Sequence, residues 1–350
     1  MAAFPPVRVV SGPAFELIAE LAAFTSGPAR ASLESGKTWI REVREVAGAE
    51  LIKGVERWAL PLYAGLATIA LEAGPPYQPD QLAKRLRAFR PAVLWRRLLG
   101  AESIPDRAML SDGAFDRAIA CDAKARSELI ETLGANASGR QSIERLLATR
   151  PEFVQAEIAA IIDTWAARVF PAFAEEAMRR IERDVEAKEK RFARVSGREA
   201  IRIATNGVEF GSTGWATEVV LVPTVALRPF ITAVDTGTSS VILCSVADEA
   251  FDDDPAAPPR RLVQVAAALG DATRLRILHE LAEGDLTASE LAERLTFDRT
   301  SLHHHLGILR SAGLVTARAE GVQSWRYSVR AEGITGATEA LTGYLSAPDD

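Results

Sequence analysis

Residues 271–315 read DATRLRILHELAEGDLTASELAERLTFDRTSLHHHLGILRSAGLV, and nearly every helix boundary in this stretch carries a local signal. Asp271 stands where an N-cap accepts a backbone N–H, Leu275, Leu278 and Leu281 recur on one helical face, and Gly284 suits the left-handed exit. Thr287 and Glu290 have capping-box spacing, with Leu286 and Leu291 placed as a hydrophobic staple, so a second helix is locked at its entry. After the short break TFD, Asp298 is placed to cap a third helix running to about Ala312, with Gly313 as its exit. Two short helices joined by such a tight turn make a helix-turn-helix.

Alternation then replaces the helical period. In GLVTARAEGVQSWRYSV, Trp325, Tyr327 and Val329 alternate with Ser324, Arg326 and Ser328 across an EG turn, which reads as a β-hairpin wing. The stretch GITGATEALTGYL follows as an amphipathic terminal helix.

Three of the chain's 4 histidines are His303, His304 and His305. Successive helical residues point ~100° apart, so the three cannot converge on one metal ion. With Leu302, Leu306 and Leu309 as the buried face, Thr300, His303, His304, Gly307 and Arg310 fall on the outward side, and His305 lies on a flank. A polar helix face with a glycine for close approach is what a recognition helix presents to a DNA major groove. A merely solvated face is the bland alternative.

On these residues the segment resembles the arsenical-resistance-repressor (ArsR) family of winged helix-turn-helix regulators, in its LGDATRLRIL phrase and its SLHHHLGILRSAGLV helix. The resemblance, wing included, covers roughly a fifth of the chain, much of one domain's usual length. It implies a bacterial or archaeal cytoplasmic transcription factor, usually a homodimer and commonly a repressor released by an effector. It places Arg299, Thr300, Ser301, His303 and His304 at DNA-reading positions, with Arg310, Arg318 and Arg326 as phosphate contacts. Ala272 stands where the family has proline, His303 where it has serine, and the wing tip lacks the family's arginine after its glycine. The cysteines and Asp/His pairs of metal-sensing members are missing from this chain, so no metal site and no cofactor are expected. From Arg260 onward every cation is arginine, suited to bidentate contacts with guanine or phosphate.

The 350 residues exceed one usual domain, and a hydrophobic content of 48% supplies two cores. The segment 247–260, ADEAFDDDPAAPPR, joins an acidic run to three prolines and reads as an extended linker. The expected organisation is therefore an N-terminal domain over 1–246, that linker, and a winged helix-turn-helix domain over 261–350. The expected class is mainly α, with a helical N-terminal domain carrying a small β element and an α+β winged domain. Helical patterns run from Pro13 to Phe24, Lys37 to Ala47, Ala49 to Ala73, Asp80 to Arg90, Pro91 to Leu99, Phe115 to Leu133, Gly139 to Thr149, Glu152 to Val169 and Ala172 to Arg194. VRVV, TEVVLVPT and SSVILCSV read as strands. The net charge of -6 argues mildly against nucleic acid, although clustering of cations matters more than their sum. Cys121 and Cys244 lie far apart and outside CxxC spacing, which fits a reducing cytoplasm and leaves a redox role for either one open. No apolar run of membrane-spanning length is present.

The segments VRVVSGPAFELIAELAAF and EVVLVPTVALRPF resemble a domain of unknown function found ahead of winged domains in long actinobacterial regulators. Three roles for this part compete: an effector-binding domain with Trp39, Trp58, Trp95 and Trp165 lining a pocket, a dimerisation scaffold using Phe173, Met178, Ile181 and Val185, or an enzyme. Ordinary core packing is the alternative for the tryptophans and for that apolar row. No nucleophile elbow, Walker loop, dinucleotide loop, HExxH or paired cysteines occur, the glycines of NGVEFGSTGW read as turns, and no catalytic residue is expected. The function expected from the whole is a one-component regulator binding an inverted-repeat operator in double-stranded DNA as a homodimer, controlled by a small-molecule effector. The alternative is a winged-helix protein-interaction module.

Overall fold

A computed structural model describes residues 4–26, 33–58, 60–98, 113–133, 137–209, 216–235, 238–251, 258–297, 299–319 and 325–346. The protein is mainly α-helical, with two four-stranded sheets among the described residues and an α+β winged helix-turn-helix. It separates into two compact units, 1–189 with 214–246 and 190–213 with 247–350. The second unit therefore takes residues 190–213 from what the sequence reading treats as the N-terminal domain. The expected linker core, 252–257, lies outside the described residues.

In the first unit β1 (Val7–Val9) leads through Gly12 into α1 (Pro13–Phe24), whose proline occupies a first-turn position that needs no N–H. Every residue of α1 from Ala14 to Phe24 is buried, so this helix is enclosed on all sides and central, its two glutamates included. Around it follow α2 (Gly36–Ala47), α3 (Ala49–Glu56), α4 (Leu60–Ala73), α5 (Pro79–Ala88) and α6 (Pro91–Leu98). Then come α7 (Ala114–Ile119), α8 (Ala123–Leu133), α9 (Ala137–Ala148), α10 (Pro151–Arg168) and α11 (Ala174–Phe192), whose last three residues fall in the second unit.

Two expected single helices are each split. Over 49–73, Trp58 N–H bonds back to the Val55 carbonyl, and Pro61 falls in the first turn of the next helix, where its missing N–H costs nothing. Over 115–133, Cys121 adopts φ 68°, a left-handed conformation that ends one helix before the next begins.

Further along the chain, α12 (Gly197–Ala204) and β2 (Val208–Glu209) belong to the second unit, and β3 (Glu218–Thr224), β4 (Thr232–Asp235) and β5 (Ser239–Ser245) to the first. The first unit's sheet has the order β1-β3-β5-β4, with β1, β3 and β5 parallel and β4 antiparallel at the edge. Pro223 sits in β3 beyond Leu221, where its pairing with β1 ends, so no ladder bond is lost there.

The four tryptophans considered as a pocket lining are buried in the first unit's core: Trp39, Trp58, Trp95 and Trp165. Of the four residues of the proposed dimer seam, Phe173 meets Trp39 edge-on, Ile181 is buried, and Met178 and Val185 are half-buried. Cys244 is buried, and burial pushes its thiol up to about 12, which makes it a poor nucleophile. Cys121 is exposed.

Two carboxyls lie inside this core. Glu16 accepts the Val225 and Ala226 N–H groups at 2.9 Å each, and Glu20 accepts Trp165 Nε1–H at 2.7 Å. Burial raises Glu16 to about 7, opposed by its two backbone bonds, and raises Glu20 well above its ordinary range, helped by Glu16. Glu16 thus binds its proton more tightly in the folded chain than in the unfolded one. Its contribution to stability is complete below the ordinary glutamate value and is lost as pH rises through about 7, by about 3 kcal/mol. Chemical denaturation between pH 5 and pH 8 is expected to show Glu16→Gln losing less stability than the wild type over that interval; an equal loss would mean Glu16 is ionised throughout.

Candidate nucleic-acid interface

The second unit continues with α13 (Arg260–Leu269), α14 (Ala272–Glu283), β6 (Leu286–Thr287), α15 (Ala288–Leu295), α16 (Arg299–Ser311), β7 (Val315–Ala319), β8 (Trp325–Val329) and α17 (Ala331–Leu345). Each predicted start within the described residues has its bond. Asp271 accepts Arg274 N–H at 3.0 Å, and that bond, more than any other cause, holds the carboxyl below its usual range. Thr287 and Glu290 form the reciprocal capping box at 3.2 and 2.7 Å, a device worth ~1 kcal/mol. Leu286 and Leu291, the staple pair, are both buried. Thr296, at φ 58°, ends α15 and turns the chain into α16. The expected cap Asp298 lies outside the described residues.

Leu302, Leu306 and Leu309 are buried and seat α16 on the unit's core. Away from them Ser301 and His303 are exposed, while His304 and Gly307 are half-buried. His304 and His305 rings meet edge-on at 5.9 Å. Burial, with His305 and Arg274 adding to it, lowers His304, which favours the neutral imidazole with one donor and one acceptor. Arg299 and Thr300 open the helix, and their side chains lie outside the described ones.

Arg310 departs from its expected outward position: it is buried, and its Nη1 donates to the Thr205 carbonyl at 3.1 Å. Burial pushes its guanidinium down to about 10. A helical wheel places Arg310 opposite the leucines, but the segment after α12 covers that side of the helix end. Asn206 Nδ2 donates to the Ser311 carbonyl at 2.7 Å, and its Oδ1 accepts Arg330 Nη1 at 3.1 Å. Asn206 (φ 52°) and Gly207 (φ 100°) form a left-handed turn that brings this segment to the helix end, so at Gly207 the expected turn is observed. Residues 210–215 of the same glycine-rich stretch lie outside the described residues.

The wing is part of a sheet ordered β2-β7-β8-β6, in which β2 runs parallel to β7 and the other pairs are antiparallel. Register builds two rows across it. Val208, Ala317, Tyr327 and Leu286 are aligned and all buried, forming the core row. Glu209, Arg318, Arg326 and Thr287 make the adjacent row on the opposite face. Arg318 Nε meets Glu209 Oε2 at 3.0 Å. Arg326 Nη1 donates to the Asp285 carbonyl at 2.8 Å and lies 3.6 Å from Glu290 Oε2. The wing tip, 320–324, lies outside the described residues. Among the described residues no three His, Cys, Asp or Glu side chains gather to hold a metal ion, and no helix is long and apolar enough to cross a membrane.

The family described as "Bacterial regulatory protein, arsR family" matches residues 271–317. The "Uncharacterized HTH-type transcriptional regulator MJ1325" of Methanocaldococcus jannaschii is 39% identical over 70 residues, which are 20% of this chain and 79% of that protein. The "Transcriptional repressor SdpR" of Bacillus subtilis is 39% identical over 57 residues, 16% of this chain and 63% of its own. The "Arsenical resistance operon repressor" of Staphylococcus aureus is 36% identical over 66 residues, 19% of this chain and 64% of its own.

Proposed function

This chain belongs to the arsR family of bacterial regulatory proteins, and from that premise we propose that it is a cytoplasmic one-component transcriptional regulator. Its second unit binds an inverted-repeat operator as a homodimer, and its first unit senses an effector or sets the dimer geometry. Two of the relatives are named repressors, which supports repression as the outcome. The observation that carries the reading is α16: a helix seated by three buried leucines that turns Ser301 and His303 outward. Base edges in the major groove are read by short hydrogen-bonding side chains on such a face. Free cysteines, one of them buried, fit a reducing compartment.

Dimer formation is supported by apolar side chains left exposed on the helices flanking the winged core. Ile334, Leu341 and Leu345 recur on one stripe of α17, and Val263 is exposed on α13, which packs against α17. A second copy of the chain is the occupant that a symmetric regulator supplies, and light scattering of the purified protein reads it directly.

The function is tested with duplex DNA from upstream of the protein's own coding sequence, titrated against mixed-sequence competitor across a salt series. With Arg310 withdrawn into the core, two phosphates per subunit at most give a log–log salt slope no steeper than about -4, against about -5 for three. His303→Ala is expected to weaken specific binding by ~1–3 kcal/mol while leaving mixed-sequence binding in place. Equal loss on both DNAs would make His303 a backbone contact. No binding at low salt would transfer the winged unit to protein recognition.

A further inference from the structure

The wing arginines are not presented bare. On the outward row of the sheet Arg318 and Arg326 face each other across β7 and β8, a like-charge pair that is unfavourable by itself. Each is flanked on its outer side by a carboxylate: Arg318 by Glu209 at 3.0 Å and Arg326 by Glu290 at 3.6 Å. Glu290 has a second role in the capping box, which accounts for its position. Glu209 caps no helix among the described residues; besides Arg318 its charge also acts on Arg202. It is carried by β2, a strand that the chain supplies from residues far upstream, and β2 covers the edge of β7 that a three-stranded wing would leave open.

The strand is held at its N-terminal end. Thr205 Oγ1 donates to the Ile201 carbonyl at 2.7 Å and accepts Val208 N–H at 3.2 Å, which fixes the turn from α12 into β2. The Gly207 carbonyl accepts Ala317 N–H at 3.2 Å, setting the register that brings Glu209 beside Arg318. Main-chain bonds and the buried Val208 therefore position this carboxylate. The Arg318 side chain is 61% exposed, accessible to a polyanion once the carboxylate releases it.

We propose that Glu209 is an internal phosphate mimic: it occupies Arg318 in the free protein and so limits the affinity of the wing for the DNA backbone. The proposal rests on the DNA-binding reading above. A phosphate oxygen and a glutamate oxygen compete for the same guanidinium fork, and a carboxylate left beside a bound strand repels it. The pair itself is a surface ion pair of modest strength, so phosphate can displace it. Its cost falls on every DNA sequence alike, because backbone contacts carry no sequence information.

The test compares the full-length wild type with Glu209→Gln, Arg318→Gln and the double variant on a mixed-sequence duplex across a salt series. Glu209→Gln is expected to bind roughly three- to tenfold more tightly, with a log–log salt slope steeper by about 0.9 per subunit. The double variant is expected to return close to the wild-type slope, because Arg318 contributes little while it is paired. Glu209→Ser, which keeps the main-chain bonds of β2, is the second variant should the glutamine side chain perturb the strand. An unchanged slope in the folded Glu209 variants, with the wild type binding, overturns the mimic and leaves the regulator reading intact. Absence of salt-dependent binding in wild type and variants alike overturns both.

Discussion

Gly333→Ala is expected to destabilise the winged unit by about 3 kcal/mol or more, and to lower DNA binding along with it. An added Cβ at Gly333 would lie 1.9 Å from the Gly313 carbonyl oxygen and 2.9 Å from its carbon. Both are backbone atoms, so no side-chain rotation relieves the overlap. Gly313 has φ 70°, and its N–H closes on the Arg310 carbonyl at 2.8 Å while Leu314 N–H closes on Leu309 at 2.9 Å, the exit geometry of α16. Displacing that turn therefore displaces the end of α16. The control lies on the same helix: Gly343 has open space where its Cβ would be, and alanine there is expected to stabilise by up to ~1 kcal/mol through helix propensity. Thermal melts of the two variants moving in the same direction would show that α17 does not dock on the Gly313 turn.

The other large effect is expected in the first unit. Trp165→Ala removes a side chain with no exposed surface that meets Phe24 edge-on at 5.9 Å, and a loss of about 3–5 kcal/mol is expected. Part of that loss is not volume. Trp165 Nε1 is a donor to the buried Glu20 carboxyl, so Trp165→Phe keeps most of the packing but leaves an acceptor in the core without this donor. Pairing Trp165→Phe with Glu20→Leu removes donor and acceptor together and is expected to recover part of the Trp165→Phe loss. Denaturant midpoints for the single and double variants measure the coupling, and strict additivity would mean that the indole and the carboxyl do not interact.

The parts of this molecule that could be read from sequence are those whose causes lie within a few residues. The capping box at Thr287 and Glu290, the Asp271 cap and the leucine row of α16 depend on spacings of three and four, and each appears as expected. The break in 49–73 had a visible sign in Pro61, but the long apolar period across it outweighed one proline. Arg310 and β2 are a different matter. A helical wheel reports direction relative to the helix's own leucines and says nothing of a distant segment covering the other side. A two-residue strand has no periodicity to detect, and Asn206 and Gly207 announce a turn without saying where the chain goes next. Glu209 meets Arg318 across 109 residues of sequence, a pairing no local pattern can contain.

That separation also orders events on the ribosome. At about 5–20 residues per second, Glu209 is joined to the chain roughly 5 to 20 s before Arg318. Through that interval α12 and β2 have neither the strand they pair with nor the helix end they cover. The winged unit closes only when β7, β8 and α17 arrive, so Arg318 and the carboxylate that pairs with it come together in one folding step.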